Sequence, residues 1–409
     1  MNWRRVVMRS MLVHVKKHQN LLKEFDLMIG DAPPPCHVIV SELLELPRIG
    51  IAPAYVMRFG QDLSKASYIP DLFSPNGYNM NFMGRVKNVL YLLLSMSSMK
   101  LIVNERYMEL NREFDIMPER PFQDSLDMAE MVLIMGHFAL EYPQPILPAT
   151  KLVGPLTVKP PNPLPRDLEQ FVNGAGDKGM ILFSLGTLGD SVLQKHQVEM
   201  LANVLGRLEQ RIIWRLKRYI PEDLSSNIKV VRWIPQNDLL AHNSTKAFIS
   251  HTGHNSLYEA AFYGVPLVCV PLFADQYSNC QQAQAVGMGI GVDIKTATGD
   301  GIYQSIKRII NEPSFKGNAT RISRLLRDSP RTSVQQAADW IEYVHRHKGA
   351  KHLRPEVYNL YWYQHYLLDV IAFLAIALIA FCIAIRMLFR LLCNICVKSS
   401  KVSHSTKQD

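Results

Sequence analysis

Residues 233–276 read WIPQNDLLAHNSTKAFISHTGHNSLYEAAFYGVPLVCVPLFADQ. Two almost wholly apolar runs, 247–250 and 266–271, bracket a segment of helical composition that begins at His254. Short continuous apolar strands alternating with helices build a parallel sheet covered on both faces. The alternation continues upstream, with strand-like runs at 180–185, 211–216 and 228–232. The reading is a Rossmann-like half over 179–350. In such a sheet, ligands gather outside the carboxyl ends of the strands. Gly186-Thr187, Trp233-Ile234-Pro235-Gln236, His251-Thr252-Gly253 and Asp275-Gln276 all follow strand ends. The topology therefore draws their polar groups toward one crevice.

Each group has chemistry available there. Trp233 offers a flat face for stacking a base, and the backbone of Ile234 can pair with base edges. Gly253 lets the chain approach closely, and the helix that follows presents free N–H groups to a diphosphate. His251, Asn255 and Ser256 can donate to the same oxygens. Glu259, one turn further on, can accept from ribose hydroxyls, and Asp275 and Gln276 from sugar hydroxyls. Taken singly, each has a plainer reading. A tryptophan at a strand end packs, His-Thr-Gly is a turn, and Ser-Leu-Gly-Thr is a glycine-mediated strand-to-helix turn. The combination at successive strand ends favours a nucleotide-sugar site.

Working outward, residues 1–150 form another βα series. Runs at 25–30, 48–53 and 132–135 read as strands, and 36–46 as a helix, with Asp31 ending the first strand before a proline-rich loop. Prolines crowd 142–165, YPQPILPATKLVGPLTVKPPNPLP, which marks 151–178 as a linker. The first half opens part-way through a helix and reads as incomplete. Its start, MNWRRVVMRSMLVHVKKHQN, is basic but lacks the apolar core of a signal peptide.

The 409 residues carry a net charge of +9, with 48% hydrophobic and 20% charged residues. Basic residues are interspersed with acids, without a zinc-knuckle pattern, an RNP-like motif or a long Lys/Arg block, which argues against nucleic acid as a partner. The six cysteines show neither a disulfide framework nor paired metal-ligand spacing; Cys393 and Cys396 would be open to palmitoylation on a cytosolic tail. Residues 367–389, LLDVIAFLAIALIAFCIAIRMLF, read as a transmembrane helix preceded by a juxtamembrane aromatic segment, 351–366, with Tyr361, Trp362, Tyr363 and Tyr366. Arg386, Arg390, Lys398, Lys401 and Lys407 against Asp409 make 390–409 a basic tail, cytosolic by the positive-inside rule. The rest would then be luminal, as the sequons at Asn243 and Asn318 permit. The apolar run 89–94 reads as part of a buried core helix rather than as a membrane contact or the wall of a lipophilic pocket.

The 233–280 segment resembles the signature of the UDP-glycosyltransferase superfamily, the group that includes UDP-glucuronosyltransferases. It departs in having His251-Thr252-Gly253 where the family usually has His-Gly-Gly. FDLMIGDAPPPC, LVGPLTVKPPNPLP, FSLGT, DWIEYVHRHKGAKHLRP and the terminal span look like the animal membrane-bound branch, and VNGAG and AVGMGI are similar to the ceramide galactosyltransferase subgroup. The resemblance implies an α/β GT-B fold of two Rossmann-like domains, the first incomplete, plus a C-terminal transmembrane helix. It implies acceptor binding by the first domain and UDP-sugar binding by the second. Trp233 and Ile234 would hold uracil, with Arg215 near that end. Gln236 and Glu259 would hold ribose, and His251, Gly253, Asn255 and Ser256 the diphosphate, with Thr187 nearby. Asp275 and Gln276 would hold the sugar.

The implied reaction is transfer of a hexuronic acid or hexose to a hydroxyl of a small lipophilic acceptor, with inversion, without a metal and without any cofactor beyond the UDP-sugar co-substrate. The implied residence is the endoplasmic reticulum, with assembly as an oligomer with itself or with related transferases. Asp31 matches the family's aspartate that orients a base histidine. The histidine's own segment is expected to be missing here, together with the signal peptide; His14, His18 and His37 do not lie in that motif. Gln276 suits glucuronic acid or glucose, and the membrane-bound character favours glucuronic acid, with UDP-glucose or UDP-galactose transfer as alternatives. A second alternative is a short isoform that binds UDP-sugar, or pairs with full-length partners, without catalysing transfer.

Overall fold

The computed structural model describes residues 2–31, 36–53, 63–71, 74, 76–77, 79–189 and 191–405. Two compact units are present, Met1–Arg354 and Pro355–Asp409. The first unit holds two sheets. Strands β1 (Met28–Asp31), β2 (Arg48–Ala52), β3 (Met131–Ile134) and β4 (Thr150–Leu152) lie side by side in that order. The second sheet runs β10-β9-β8-β5-β6-β7, built from β5 (Met180–Ser184), β6 (Arg211–Arg215), β7 (Ile228–Val231), β8 (Thr245–Ser250), β9 (Leu267–Cys269) and β10 (Gly289–Gly291). Every pairing between neighbours is parallel.

The central strands show why continuous apolar runs were needed. On β5, Met180 and Leu182 enter one core cluster while Ile181 and Phe183 enter another. On β3, Val132 and Ile134 divide from Met131 and Leu133 in the same way. Successive side chains point to opposite faces, so a strand covered on both sides must be apolar throughout. Each such side chain contributes about 1.5–3 kcal/mol on burial. Phe183 stacks on the buried Trp214 of β6 with ring centroids 5.0 Å apart, which adds to the area term.

The helix Ser333–Arg346 was read as part of the 179–350 segment, yet Ala337 and Val344 join Ile49, Met131 and Leu133 in one cluster. This late helix therefore covers a face of the first sheet. Its cap is a reciprocal pair in which the Thr332 hydroxyl accepts from the Gln335 amide and the Gln335 side chain accepts from Thr332 N–H.

The buried-helix reading of 89–94 is overturned. The helix Phe82–Ser98 buries polar Asn88, whose side chain accepts from Asp71 N–H and donates to the carbonyls of Ala66 and Ile69. Leu90 and Leu94 are 59% and 64% exposed. Hydropathy registered the apolar content of the run, but it could not show which face the fold covers. Further along, the helix Glu105–Phe114 turns Tyr107, Leu110 and Phe114 into the core.

In the second unit, the helix Leu368–Ser405 contains a stretch, Leu368–Leu392, of mean hydropathy 2.9 with none of it buried. It is long and apolar enough to cross a membrane: 25 residues of helix reach roughly 37 Å against a hydrocarbon core of about 30 Å. The side chains of Cys393, Cys396, Lys398 and Lys401, the residues Lys407 and Asp409, and the proline-rich loop 32–35 lie outside what is described.

Candidate functional site

A crevice of about 690 Å³ opens at the carboxyl ends of β5, β6, β7 and β8 and is lined by Thr187, Arg215, Trp233, Ile234, Gln236, His251, Gly253, Asn255, Ser256, Glu259 and Asp275. Its volume falls within the range of small-molecule sites. Pro53, just beyond β2, joins the lining from the first sheet.

One wall starts at Arg215, the last residue of β6, which is 4% exposed and donates through Nη1 to the Gly186 carbonyl. Its Nη2 is buried with no partner in the protein, a cationic donor left over for a ligand. Its guanidinium carbon lies 5.9 Å from the centre of the Trp233 ring. Trp233 is 74% exposed. An indole that served packing would be covered, so this ring is held open at the crevice. Ile234, by contrast, is buried in the core, which leaves its backbone as the part that faces a ligand.

Gln236 opens the short helix Gln236–Ala241. Its amide donates to Ser256 Oγ at 3.1 Å and to Glu259 Oε2 at 2.7 Å. Burial pushes the Glu259 carboxyl above its ordinary range, and the Gln236 amide works against that rise. Glu259, Ser256 and Asn255 lie on the helix His254–Phe262, whose cap residue is Gly253 with no side-chain cap bond. Helix N–H groups left without a side-chain cap favour an anion.

His251 closes the floor. Burial holds its imidazole down to about 4, with Asp275 pulling the other way, so it is neutral near pH 7. The ring packs so tightly that a Cβ on Gly186 would come within 2.5 Å of His251 Nε2, and one on Gly253 within 2.7 Å. Gly186 also has φ +71°. Gly186 therefore requires glycine, and a side chain at Gly253 would have to displace the His251 ring. Between His251 and Gly253, Thr252 sits at φ +56° and is fully buried. The position where the family usually has glycine thus keeps a left-handed backbone here. It is held by an N–H bond to Ser250 Oγ at 3.0 Å and by Asn279 Nδ2 donating to Thr252 O at 2.9 Å.

Two of the residues read from the sequence stand apart from this lining. Gln276 is 4% exposed and turns inward, its Oε1 accepting from Leu272 N–H at 2.7 Å and Phe273 N–H at 3.1 Å. Asp275, its neighbour, stays in the crevice and accepts from Asn279 Nδ2 at 2.8 Å. Asp31 ends β1 at the edge of the first sheet and is exposed. His37 is buried, its Cβ directly behind Gly30, while the His14 and His18 rings meet at a tilt with centroids 4.4 Å apart. Among the described residues, no group of three or more His, Cys, Asp and Glu side chains is placed to hold a metal ion.

Sequence reasoning missed several lining residues, among them Thr157, Lys159 and His254. Thr157 and Lys159 come from the proline-rich linker, where no periodicity marks a site, and His254 was read only as part of the first helical turn. His254 Nε2 bonds the Met135 carbonyl at 2.8 Å, and burial lowers its pKa to about 4. One turn on, the Tyr258 hydroxyl donates to the buried Glu141 at 2.9 Å and accepts from His137 N–H at 2.8 Å. The helix that fronts the crevice is therefore clamped along its back to the segment that follows β3.

Comparison with known proteins places these features. The family described as "UDP-glucoronosyl and UDP-glucosyl transferase" matches residues 5–403. Human UDP-glucuronosyltransferase 2B17 is 38% identical over 366 residues, covering 88% of this chain and 69% of the relative. UDP-glucuronosyltransferase 2B16 of Oryctolagus cuniculus is 38% identical over 370 residues, covering 89% and 70%. Among solved structures, a UDP-glucosyltransferase from Polygonum tinctorium superposes with TM-score 0.58 at 20% identity, covering 84% of this chain and 82% of its own. A UDP-glucose:anthocyanidin 3-O-glucosyltransferase in complex with UDP gives 0.56 at 20% identity, covering 79% and 76%. The fold is GT-B, and the chain belongs to the family of UDP-glucuronosyl and UDP-glucosyl transferases.

Proposed function

We propose that the crevice binds a UDP-sugar and that the chain serves transfer of its sugar, glucuronic acid by preference, to a hydroxyl of a small lipophilic acceptor. The observation that carries this is the convergence of Arg215, Trp233, Gln236, Ser256, Glu259 and Asp275 on one cavity from separate strand ends. In this reading Trp233 stacks on uracil beside the unmatched Arg215 Nη2, and Gln236 and Glu259 take the ribose. The first turn of the His254–Phe262 helix, with His251, takes the diphosphate, and Asp275 takes the sugar. Neutral His251 donates to phosphate oxygen without adding a titrating charge. The acceptor oxygen would attack the anomeric carbon, its proton would pass to a base, and UDP would leave with the electron pair, inverting the centre. No metal and no further cofactor enters this scheme. The Leu368–Leu392 stretch would anchor the protein in the endoplasmic reticulum membrane, with a cytosolic tail and a lipophilic acceptor drawn from the bilayer side.

One observation favours a second reading. Asp31, the partner proposed for a base, lies outside the crevice lining, so the chain would bind UDP-sugar, or pair with related transferases, without transferring. A donor panel separates the two. Calorimetric binding of UDP together with UDP release from UDP-glucuronate and an acceptor phenol supports transfer. Binding without release supports the second reading, and no binding of UDP sinks the donor site in both, leaving only pairing with related transferases. Faster release from UDP-glucose or UDP-galactose than from UDP-glucuronate would overturn the donor preference.

A further inference from the structure

A second cavity, of about 1150 Å³, lies on the other side of the linker. Its walls include the residues around β4, the end of the His254–Phe262 helix, and the start of the Ser333–Arg346 helix. It combines large apolar surfaces with unbalanced positive charge. Lys151 Nζ sits 4.4 Å above the Trp340 ring. The Arg327 guanidinium lies 4.5 Å from the Phe262 ring and 5.6 Å from Tyr263. Asp328 is the one carboxylate among the described lining residues, against Lys151, Lys159, Arg327 and Arg331, and Arg331 is engaged by Asp339. Cations stacked on aromatic faces at a partly enclosed wall suit a ligand with a negative head and an apolar body.

The two cavities share a partition. Lys159 lines both. Its backbone carbonyl accepts from Tyr263 Oη at 2.7 Å and from Asn237 Nδ2 at 2.9 Å. Asn237 follows Gln236, which holds Glu259. A molecule that displaced Tyr263 or Lys159 on one side would shift the ribose-side pair on the other.

We propose that this cavity is a second binding site, taking an amphipathic organic anion, an aromatic or acyl body bearing a carboxylate, whose occupancy alters UDP affinity through Lys159 and Asn237. Its geometry does not depend on which sugar the crevice takes. The test is photolabelling of the full chain in detergent with 4-benzoylbenzoate, mapped by peptide mass spectrometry, with 4-methylbenzophenone as the uncharged control. The expected result is labelling of peptides covering 262–263 and 326–340 that persists at saturating UDP. It should fall at least tenfold for the uncharged control and in the Lys151→Gln/Arg327→Gln double variant. Val334→Trp, which fills the cavity while keeping every charge, should block labelling equally while calorimetry still registers UDP. Saturating probe should change the UDP Kd at least threefold, and by linkage UDP should change the probe's affinity by the same factor. Labelling abolished by UDP, equal labelling by the uncharged control, or undiminished labelling in both variants would overturn the site. An unchanged UDP Kd would overturn the coupling.

Discussion

Gln236 Nε2 lies 2.7 Å from Glu259 Oε2, and with its 3.1 Å bond to Ser256 Oγ this contact ties the short helix after β7 to the helix after β8. In the proposed reading the pair would receive the ribose diol. Glu259 lines the crevice and supplies an acceptor whose burial is partly offset by the Gln236 amide. Because burial raises the Glu259 pKa, the ionised carboxylate costs the free fold stability near pH 7 and costs less as pH falls. Glu259→Gln is therefore expected to raise the melting temperature of the ligand-free protein while weakening UDP binding by about 1.5–3 kcal/mol, the range for a hydrogen bond to a charged group. Scanning calorimetry and UDP titration read the two effects separately, and a parallel loss of both would show that Glu259 is merely structural.

Trp233 separates ligand stacking from packing. The ring is mostly exposed, so Trp233→Ala should leave the melting temperature almost unchanged. Its UDP affinity should fall by about 1–3 kcal/mol, the worth of a base–aromatic stack. A variant that loses stability but keeps affinity would return the ring to a packing role.

Acid should loosen the fold through two histidines. His251 and His254 hold pKa values of about 4 by burial, against about 6.5 in an unfolded chain. As pH falls from about 6.5 toward 4, the unfolded state takes up protons first, so stability is lost across that window and is fully present above it. A loss of about 2 kcal/mol per histidine, on the order of 5 kcal/mol for the pair, is expected between pH 7 and 4.5. Denaturation midpoints measured along this range should flatten in His251→Asn/His254→Gln, and an unchanged slope in that variant would exclude these two groups as the cause.

Thr252 offers a strain measurement. A β-branched residue held in the left-handed region costs about 1–3 kcal/mol, and glycine would relieve it at an entropy cost of about 1 kcal/mol. Thr252→Gly should therefore destabilise far less than Thr245→Gly, a buried threonine at the start of β8. Equal losses in urea denaturation would show that the φ of +56° carries no strain.

Much of the donor half was legible because its information is local. Apolar runs mark strands covered on both faces, and polar or glycine residues immediately after them mark strand ends. What escaped depends on long-range packing. Nothing in the sequence from 333 to 346 says that Ala337 and Val344 will meet Met131 and Leu133 rather than the nearer sheet. Gln276 carries the same chemistry whether it faces inward or outward, and here two backbone N–H groups claim it. Lys159 reaches the crevice from a proline-rich connection without period. The exposure of Leu90 and Leu94 shows the opposite failure: apolar composition was visible, but the covering face was not.

The clamp along the back of the His254–Phe262 helix bears on how the protein can be re-engineered. His254 and Tyr258 reach Met135, His137 and Glu141 from the same few turns that present Asn255, Ser256 and Glu259 to the crevice. A chimera that exchanged only the second half with a relative would cut across these bonds and strand a buried carboxyl at Glu141. Residues 135–141 and the helix form one transplantable cassette, so domain swaps that move them together should fold where swaps cut at the linker do not.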